Sequence, residues 1–231
     1  MRGSDIEFSS AARRAFLAHC SALASLASSV GLASLAGPAR AAPQPPGRKL
    51  LVLGDSLSAE YGLARGTGWV ALLEARLAKT KPGYEVINAS SSGDTTSGGR
   101  SRLPTLLAQH KPQVVVIELG GNDALRGLPL AMTRGNLTAM ARAAKAGGAR
   151  VLIVGVAVPP NYGRQYGAEF FALFDEVARA EGAGRAPFLL AGVADARNAD
   201  ELFQTDRIHP KAQAHPRMLD NVWPALAPLL R

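Results

Sequence analysis

The chain of 231 residues is poor in cysteine, histidine and aromatic residues. Its one cysteine, Cys20, excludes a disulfide within the chain and a zinc site built on cysteines. The four histidines are never spaced as metal ligands, so we expect neither a metal nor another cofactor. Aromatic residues make up only 6%, which argues against a stacking platform for single-stranded nucleic acid.

Long basic runs are also missing, although the formal net charge is +8. Only Arg13-Arg14 and Arg48-Lys49 place two basic residues side by side, so the charge indicates a solvated surface and no nucleic-acid partner. Apolar residues, by contrast, make up 47% of the chain. That fraction is sufficient for one sizeable hydrophobic core.

The first forty residues have the pattern of a targeting signal rather than of a folded domain. Residues 1–8 (MRGSDIEF) resemble joined restriction sites of a cloning vector, and an Arg-Arg-x-Phe-Leu core begins at Arg13. An apolar stretch over 15–36 and an Ala-x-Ala pattern at 39–41 come next. We therefore predict a twin-arginine-like export signal, cleaved near Ala41, and a periplasmic or secreted domain over 42–231.

The same stretch is too polar for a membrane anchor, because 15–36 contains five serines and His19. We expect no stable membrane insertion after cleavage. The oligomeric state is open, with a monomer favoured.

Downstream, apolar runs of strand length alternate with segments of helical periodicity. The patterns predict strands at 49–53, 84–88, 114–119, 151–156 and, more weakly, 187–190, and helices at 69–77, 103–110, 128–146, 168–180 and 212–230. This alternation predicts an α/β fold, a three-layer α/β/α sandwich with a doubly wound, flavodoxin-like sheet of five parallel strands. Ligands of such sheets bind outside the carboxyl ends of the strands.

Reactive or hydrogen-bonding residues come directly after three of these strands. Ser56 stands after the first strand, where it could present a hydroxyl or cap a helix. Gly93 allows close backbone approach in a polar loop after the second strand, and Asn122 comes after two glycines at the end of the third. Near the C-terminus, Asp206 and His209 have the spacing of one helical turn, which lets the carboxylate orient the imidazole.

Four short blocks in this order resemble the signature blocks of the GDSL, or SGNH, hydrolases: GDSLS at 54–58, SSSGD at 90–94, GGND at 120–123 and DRIHP at 206–210. Longer stretches such as LVLGDSLSAEYGL at 51–63 are similar to the bacterial periplasmic thioesterase/lysophospholipase/arylesterase subgroup. The resemblance spans roughly residues 49–230.

The resemblance implies a role for each matching residue. Ser56 would be the nucleophile, His209 the general base and then the acid, and Asp206 the residue that orients His209. The backbone N–H groups of Ser56 and Gly93, with the side chain of Asn122, would form the oxyanion hole.

We predict substrate contacts at five further positions: Asp55, Leu57, Asp123, Pro160 and Tyr162. Two residues depart from the family pattern. Arg207 stands where the family commonly has glycine, and Glu60 replaces a small residue near the nucleophile.

The resulting interpretation is a serine esterase acting on a small-molecule carboxylic ester or acyl thioester through an acyl-enzyme. One alternative is a carbohydrate acetylesterase on the same scaffold. A second is a non-catalytic, flavodoxin-like binding or phosphoacceptor domain that uses Asp55.

Overall fold

Five parallel strands form one sheet in the order β2-β1-β3-β4-β5. They are β1 (Arg48–Gly54), β2 (Tyr84–Asn88), β3 (Val114–Glu118), β4 (Arg150–Val154) and β5 (Gly184–Ala186). The structure is a computed structural model that describes residues 47–231. The predictions made for the vector-like residues, the export signal and its cleavage site lie outside the described residues.

The helices are α1 (Trp69–Thr80), α2 (Thr96–His110), α3 (Gly121–Leu125), α4 (Leu130–Ala146), α5 (Arg164–Ala180), α6 (Ala199–Leu202) and α7 (His215–Leu226). Short 3-10 turns occupy Pro160–Tyr162, Ala212–Ala214 and Ala227–Leu229. No helix within residues 47–231 combines the length and the apolar character needed to cross a membrane.

Each face of the sheet carries its own hydrophobic core, because successive side chains of a strand point to opposite faces. Leu50 and Val52 of β1 pack with α1 and α7 in the first core. Leu51 and Leu53 pack with α2, α4 and α5 in the second core. The predicted three-layer, doubly wound α/β architecture is therefore confirmed.

Several element boundaries differ from the predictions; α5, for example, begins at Arg164 rather than at 168. The strand expected at 187–190 is wrong: β5 is the less apolar Gly184–Ala186, which pairs with β4, and Pro187 then ends the ladder because it has no N–H to donate. The helix expected at 212–230, with interruptions near Pro216 and Pro224, is α7 flanked by two 3-10 turns; Pro216 stands in the first turn of α7 and Pro224 lies inside it.

Helix α2 begins at Thr96, seven residues before the expected start at 103. The side chain of Thr95 caps it by accepting a hydrogen bond from the N–H of Gly98. The sequence pattern did not predict this earlier start, because Gly98 and Gly99 lie in the first turns and glycine is a poor helix former. A Cβ on Gly99 would clash with the buried side chain of Leu119, so this position favours glycine.

Candidate active site

The loop after β1 folds into a tight turn around Ser56. The Asp55 carbonyl accepts hydrogen bonds from the N–H groups of Ser58 (3.2 Å) and Ala59 (3.0 Å). Asp55 Oδ1 also accepts from the N–H of Leu57 at 3.0 Å. These bonds fix the backbone on both sides of Ser56, which is itself half-buried.

The imidazole of His209 joins this turn to a loop 153 residues away in sequence. His209 Nε2 lies 2.8 Å from Ser56 Oγ, and His209 Nδ1 lies 2.7 Å from Asp206 Oδ2. The structure thus brings the three expected residues into one hydrogen-bonded chain. Its order is the one that general-base activation of a serine requires.

Asp206 and His209 lie on a hairpin-like loop and not on the helical turn that their spacing predicted. An antiparallel bridge between Phe203 and Pro210 closes this loop. Arg207 is in the left-handed region (φ 57°), which a right-handed helix does not allow. The backbone N–H groups of Ile208 (2.9 Å) and His209 (3.0 Å) both donate to Asp206 Oδ1. The carboxylate thereby folds the turn that also places the imidazole.

Asp206 is held in its charged form. Burial raises its pKa, but hydrogen bonds from the backbone and ring of His209 and from the backbone of Ile208 outweigh that effect and lower the pKa to about 2. At neutral pH the carboxylate accepts the Nδ1 proton of His209. Nε2 is then left as the acceptor that faces Ser56.

Two backbone N–H groups in the described part of the chain, on the loops that follow β1 and β2, are free to donate hydrogen bonds. Within residues 47–231, neither the N–H of Ser56 nor that of Gly93 has a hydrogen-bond acceptor. Gly93 has a φ of 77°, which strains any residue with a Cβ. Its carbonyl accepts a hydrogen bond from Arg126 (2.8 Å), which fixes the orientation of the peptide plane on its other side.

The amide of Asn122 completes the expected set of donors, but both of its hydrogens have acceptors. Nδ2 donates to Asp55 Oδ2 at 3.1 Å and to the Asp94 carbonyl at 3.0 Å. Gly120, two residues earlier, has a φ of 128° and faces Phe174 so closely that a Cβ would lie 3.0 Å from the ring. Asn122 therefore lies in the first turn of α3, which follows a backbone conformation at Gly120 that favours glycine.

Two of the predicted substrate contacts are buried carboxylates. Asp55 is 3% exposed, and burial raises its pKa to about 6 despite the hydrogen bond from the Leu57 backbone and the charge of His209. Asp123 is fully buried and accepts hydrogen bonds from the N–H and hydroxyl of Thr96 and from the hydroxyl of Thr133. These contacts tie α3 to α2 and α4, and they favour a structural role over a substrate contact for both carboxylates.

The other predicted contacts lie on different elements. Leu57 is half-buried and packs against the first core. Pro160 begins a 3-10 turn, and Tyr162 ends it and stacks on Tyr166 with ring centroids 6.3 Å apart. Glu60 has a φ of 58°, and its carboxylate accepts hydrogen bonds from the N–H groups of Gly66 and Gly68, which places it in the loop before α1.

Sequence reasoning missed two residues of this site. Tyr61 packs its ring against that of His209, with centroids 4.3 Å apart. Glu118 ends β3 and accepts a hydrogen bond from the hydroxyl of Ser58 at 2.7 Å. A signal for Glu118 was present, because it is the one charged residue in the apolar run from 114 to 119.

Among residues 47–231, no group of three or more His, Cys, Asp or Glu side chains is arranged to hold a metal ion.

A family model described as the GDSL-like lipase/acylhydrolase family matches residues 52–217. The chain is 51% identical over 187 residues to the esterase TesA of Pseudomonas aeruginosa, an alignment that covers 81% of this chain and 92% of that protein. It is 43% identical to an arylesterase of Vibrio mimicus (73% and 82% covered). It is 39% identical to thioesterase 1/protease 1/lysophospholipase L1 of Escherichia coli (78% and 84% covered).

Solved structures agree with these sequence matches. A crystal structure of TesA superposes with a TM-score of 0.76 at 51% identity, covering 79% of this chain and 99% of that one. The psychrotrophic esterase EstA from Pseudoalteromonas sp., in a structure inhibited by monoethylphosphonate, gives a TM-score of 0.73 at 36% identity, with 79% and 98% covered.

Proposed function

The chain belongs to the GDSL-like lipase/acylhydrolase family, and we propose that it hydrolyses carboxylic esters and acyl thioesters through an acyl-enzyme on Ser56. The observation that carries this proposal is the hydrogen-bonded chain from Ser56 Oγ through His209 to Asp206. Relatives named esterase, arylesterase and thioesterase support ester bonds as the substrate class.

In the first half of the reaction, Ser56 Oγ attacks the acyl carbonyl and its proton passes to His209 Nε2. The oxyanion that forms accepts hydrogen bonds from the N–H groups of Ser56 and Gly93. The Asn122 amide turns one of its two N–H bonds from its present acceptor toward the oxyanion. His209 then gives its proton to the leaving alcohol or thiol as the bond to the acyl carbon breaks.

In the second half, His209 Nε2 takes a proton from water, whose oxygen attacks the ester carbon of the acyl-enzyme. The same donors hold the second oxyanion. Its collapse releases the carboxylic acid and returns the proton from His209 to Ser56 Oγ. Asp206 stays ionised throughout and stabilises the imidazolium that forms in each half.

The surroundings of the triad favour an apolar acyl group over a sugar acetate. Of the five exposed large hydrophobic residues within 47–231, Tyr61 packs on His209, Ile208 directly precedes His209 in the chain, and Leu125 follows Asn122 by three residues in α3. Each of these three is between 43% and 49% exposed, which leaves its side chain accessible to an apolar acyl group. The phosphoacceptor alternative is disfavoured, because Asp55 is 3% exposed and its carboxylate is engaged by Leu57 and Asn122.

The test is hydrolysis of p-nitrophenyl esters from acetyl to palmitoyl, and of acetylated sugars, by the wild type and by Ser56→Ala. We expect activity on the p-nitrophenyl esters that is lost in Ser56→Ala, while Ser101→Ala, an exposed serine of α2, keeps it. A chain-length optimum above acetyl would support the acyl-chain interpretation. Activity that survives in Ser56→Ala would overturn the mechanism, and preference for acetylated sugars would select the carbohydrate alternative.

Export of the enzyme is a further part of the proposal, and it rests on the twin-arginine-like pattern of residues 1–41. The expected product is a periplasmic or secreted enzyme that starts near Ala42. N-terminal sequencing of the extracytoplasmic protein would check the cleavage site. An Arg13→Lys/Arg14→Lys variant should accumulate uncleaved inside the cell, and normal export of that variant would exclude the twin-arginine route.

A further inference from the structure

Glu118 lies directly beneath the turn that carries Ser56. It ends β3, pairs in register with Gly54 and is fully buried. Its Oε2 accepts hydrogen bonds from the Ser58 hydroxyl at 2.7 Å and, more weakly, from the Asp55 N–H at 3.4 Å. Both donors belong to the turn around Ser56, so a single carboxyl group holds that turn at two points.

No positive charge compensates this group within residues 47–231. Glu118 forms no salt bridge there, and its Oε1 has no hydrogen-bond partner. The neighbouring acidic group is Asp55. Burial raises the pKa of Glu118 well above its usual range, and the Asp55 charge raises it further. Burial without a neighbouring cation therefore favours the uncharged form of this carboxyl group, since the charged form would be poorly solvated.

The packing around Glu118 leaves little room for the turn to move. A Cβ on Gly54 would lie 2.7 Å from Ser58 Oγ and 2.9 Å from Glu118 Oε2, so only glycine fits between them. Trp69 Nε1 donates to Ser58 Oγ at 3.2 Å, which ties the same hydroxyl to the start of α1. The Ser58 hydroxyl therefore donates to Glu118 and accepts from Trp69.

We propose that Glu118 is a positioning residue for the ester hydrolysis proposed above: its uncharged carboxyl group fixes the turn from Asp55 to Ser58 and thereby the direction in which Ser56 presents its hydroxyl to His209. The inference rests on that proposed function. It assigns Glu118 no contact with substrate. The Asp55 carboxylate, which accepts from Asn122, is fixed by the same anchor through its backbone N–H.

The experiment measures how fast Ser56 reacts with a fluorophosphonate, a probe that forms a bond to an activated serine without an acyl chain. The second-order rate constant is compared for wild type, Glu118→Gln and Glu118→Ala at one temperature well below every melting temperature. Glu118→Gln keeps an uncharged acceptor of the same size, and we expect it to react close to the wild-type rate. Glu118→Ala removes the anchor, and we expect a loss of about 10²-fold, as a misplacement of about 1 Å typically costs.

A matched control separates positioning from stability. Val116 lies two residues earlier on the same face of β3 and is also fully buried in the first core. Val116→Ala should lower the melting temperature through the cavity that it leaves, yet keep the rate of Ser56 labelling. Equal labelling rates for Glu118→Ala and Val116→Ala would show that Glu118 only stabilises the fold and would overturn the proposal. If Glu118→Gln reacted as slowly as Glu118→Ala, the proposal that the carboxyl group of Glu118 is uncharged would be overturned.

Ser58→Ala gives a second test should Glu118→Ala fail to fold. The hydroxyl that Glu118 holds is then missing, so labelling of Ser56 should slow, and Glu118→Gln combined with Ser58→Ala should be no slower than Ser58→Ala alone. A wild-type rate for Ser58→Ala would contradict the proposed anchor. Failure of the proposed function is a different result, since wild-type Ser56 would then not be labelled at all.

Discussion

Among single residues, Asn122 has the most specific expected role, because its amide faces both the sheet edge and two acceptors of the protein itself. Its bonds to Asp55 and the Asp94 carbonyl hold the amide in place before a substrate arrives. Loss of one oxyanion donor typically lowers turnover by about 10²–10³-fold. We expect Asn122→Ala to lower kcat by that factor with a smaller change in KM, measured on the preferred p-nitrophenyl ester.

Asn221→Ala is the control for this variant. The Asn221 amide also makes two hydrogen bonds to the protein, to the carbonyls of Leu189 and Ala191, and it lies on α7. Its removal should lower stability and leave kcat unchanged. Wild-type turnover in Asn122→Ala would show that the oxyanion is held by the backbone donors alone.

Tyr61 is the second residue for which an effect on turnover is expected. Its ring packs on the imidazole of His209 at 4.3 Å between centroids and is 49% exposed, so its removal should cost little stability. An aromatic contact of this kind contributes about 0.5–1.5 kcal/mol, so Tyr61→Leu should lower kcat/KM by about 2- to 10-fold. Tyr61→Phe should retain it. Phe171→Leu, another exposed aromatic residue, should leave kcat/KM unchanged, and an equal loss in that variant would argue against a specific contact.

At the scale of elements, the loop closed by Phe203 and Pro210 is the one that departs most from its expected conformation. Arg207 holds a left-handed backbone conformation (φ 57°) that strains residues with a Cβ by about 1–2 kcal/mol. Glycine removes this strain but loses more entropy on folding, so Arg207→Gly should raise the free energy of unfolding by up to about 1 kcal/mol. Urea unfolding of the two proteins would measure the change.

Arg197→Gly is the matched comparison, because Arg197 is also an arginine in a turn but does not have a positive φ. That substitution should lower stability. If both variants lose the same stability, the backbone at Arg207 is not strained. Unchanged kcat in Arg207→Gly would further show that the charge at this position does not serve the test substrate.

For the whole molecule, the burial of Asp55 makes stability depend on pH. Its pKa is raised from 3.8 to about 6 in the folded enzyme, chiefly by burial. Between these two values the folded state keeps a proton on Asp55 that the unfolded state has lost, so the contribution of Asp55 to stability falls as pH rises through this window and no longer changes above it. The expected contribution is about 3 kcal/mol.

The measurement is the free energy of unfolding at pH 4 and at pH 7 for wild type and Asp55→Asn. The variant cannot titrate at this position, so its stability should fall less over the interval. Asp200→Asn, an exposed aspartate of α6, should behave as the wild type does. Identical pH dependence in wild type and Asp55→Asn would show that Asp55 does not hold a proton in the folded enzyme.

The fold class, and the site residues within the four signature blocks, could be predicted from the sequence, since both depend on local patterns. Apolar runs and helical periodicity placed four of the five strands within one or two residues at each end. The start of α2 at Thr96 and the strand Gly184–Ala186 were not predicted, and both segments contain glycine. The position of a glycine depends on a close neighbour in space rather than on the hydrophobic pattern.

The sequence by itself determined which residue types stand at the carboxyl ends of the strands, because each of those residues is the chain neighbour of a recognisable apolar run. Only the tertiary structure decided that Ser56 and His209 meet at 2.8 Å, since they are 153 residues apart along a chain of sheet and helices. It also decided that Asp123, a polar residue outside any apolar run, is fully buried. The burial of such a residue is set by the layers that pack over it, and its sequence neighbours do not record those layers.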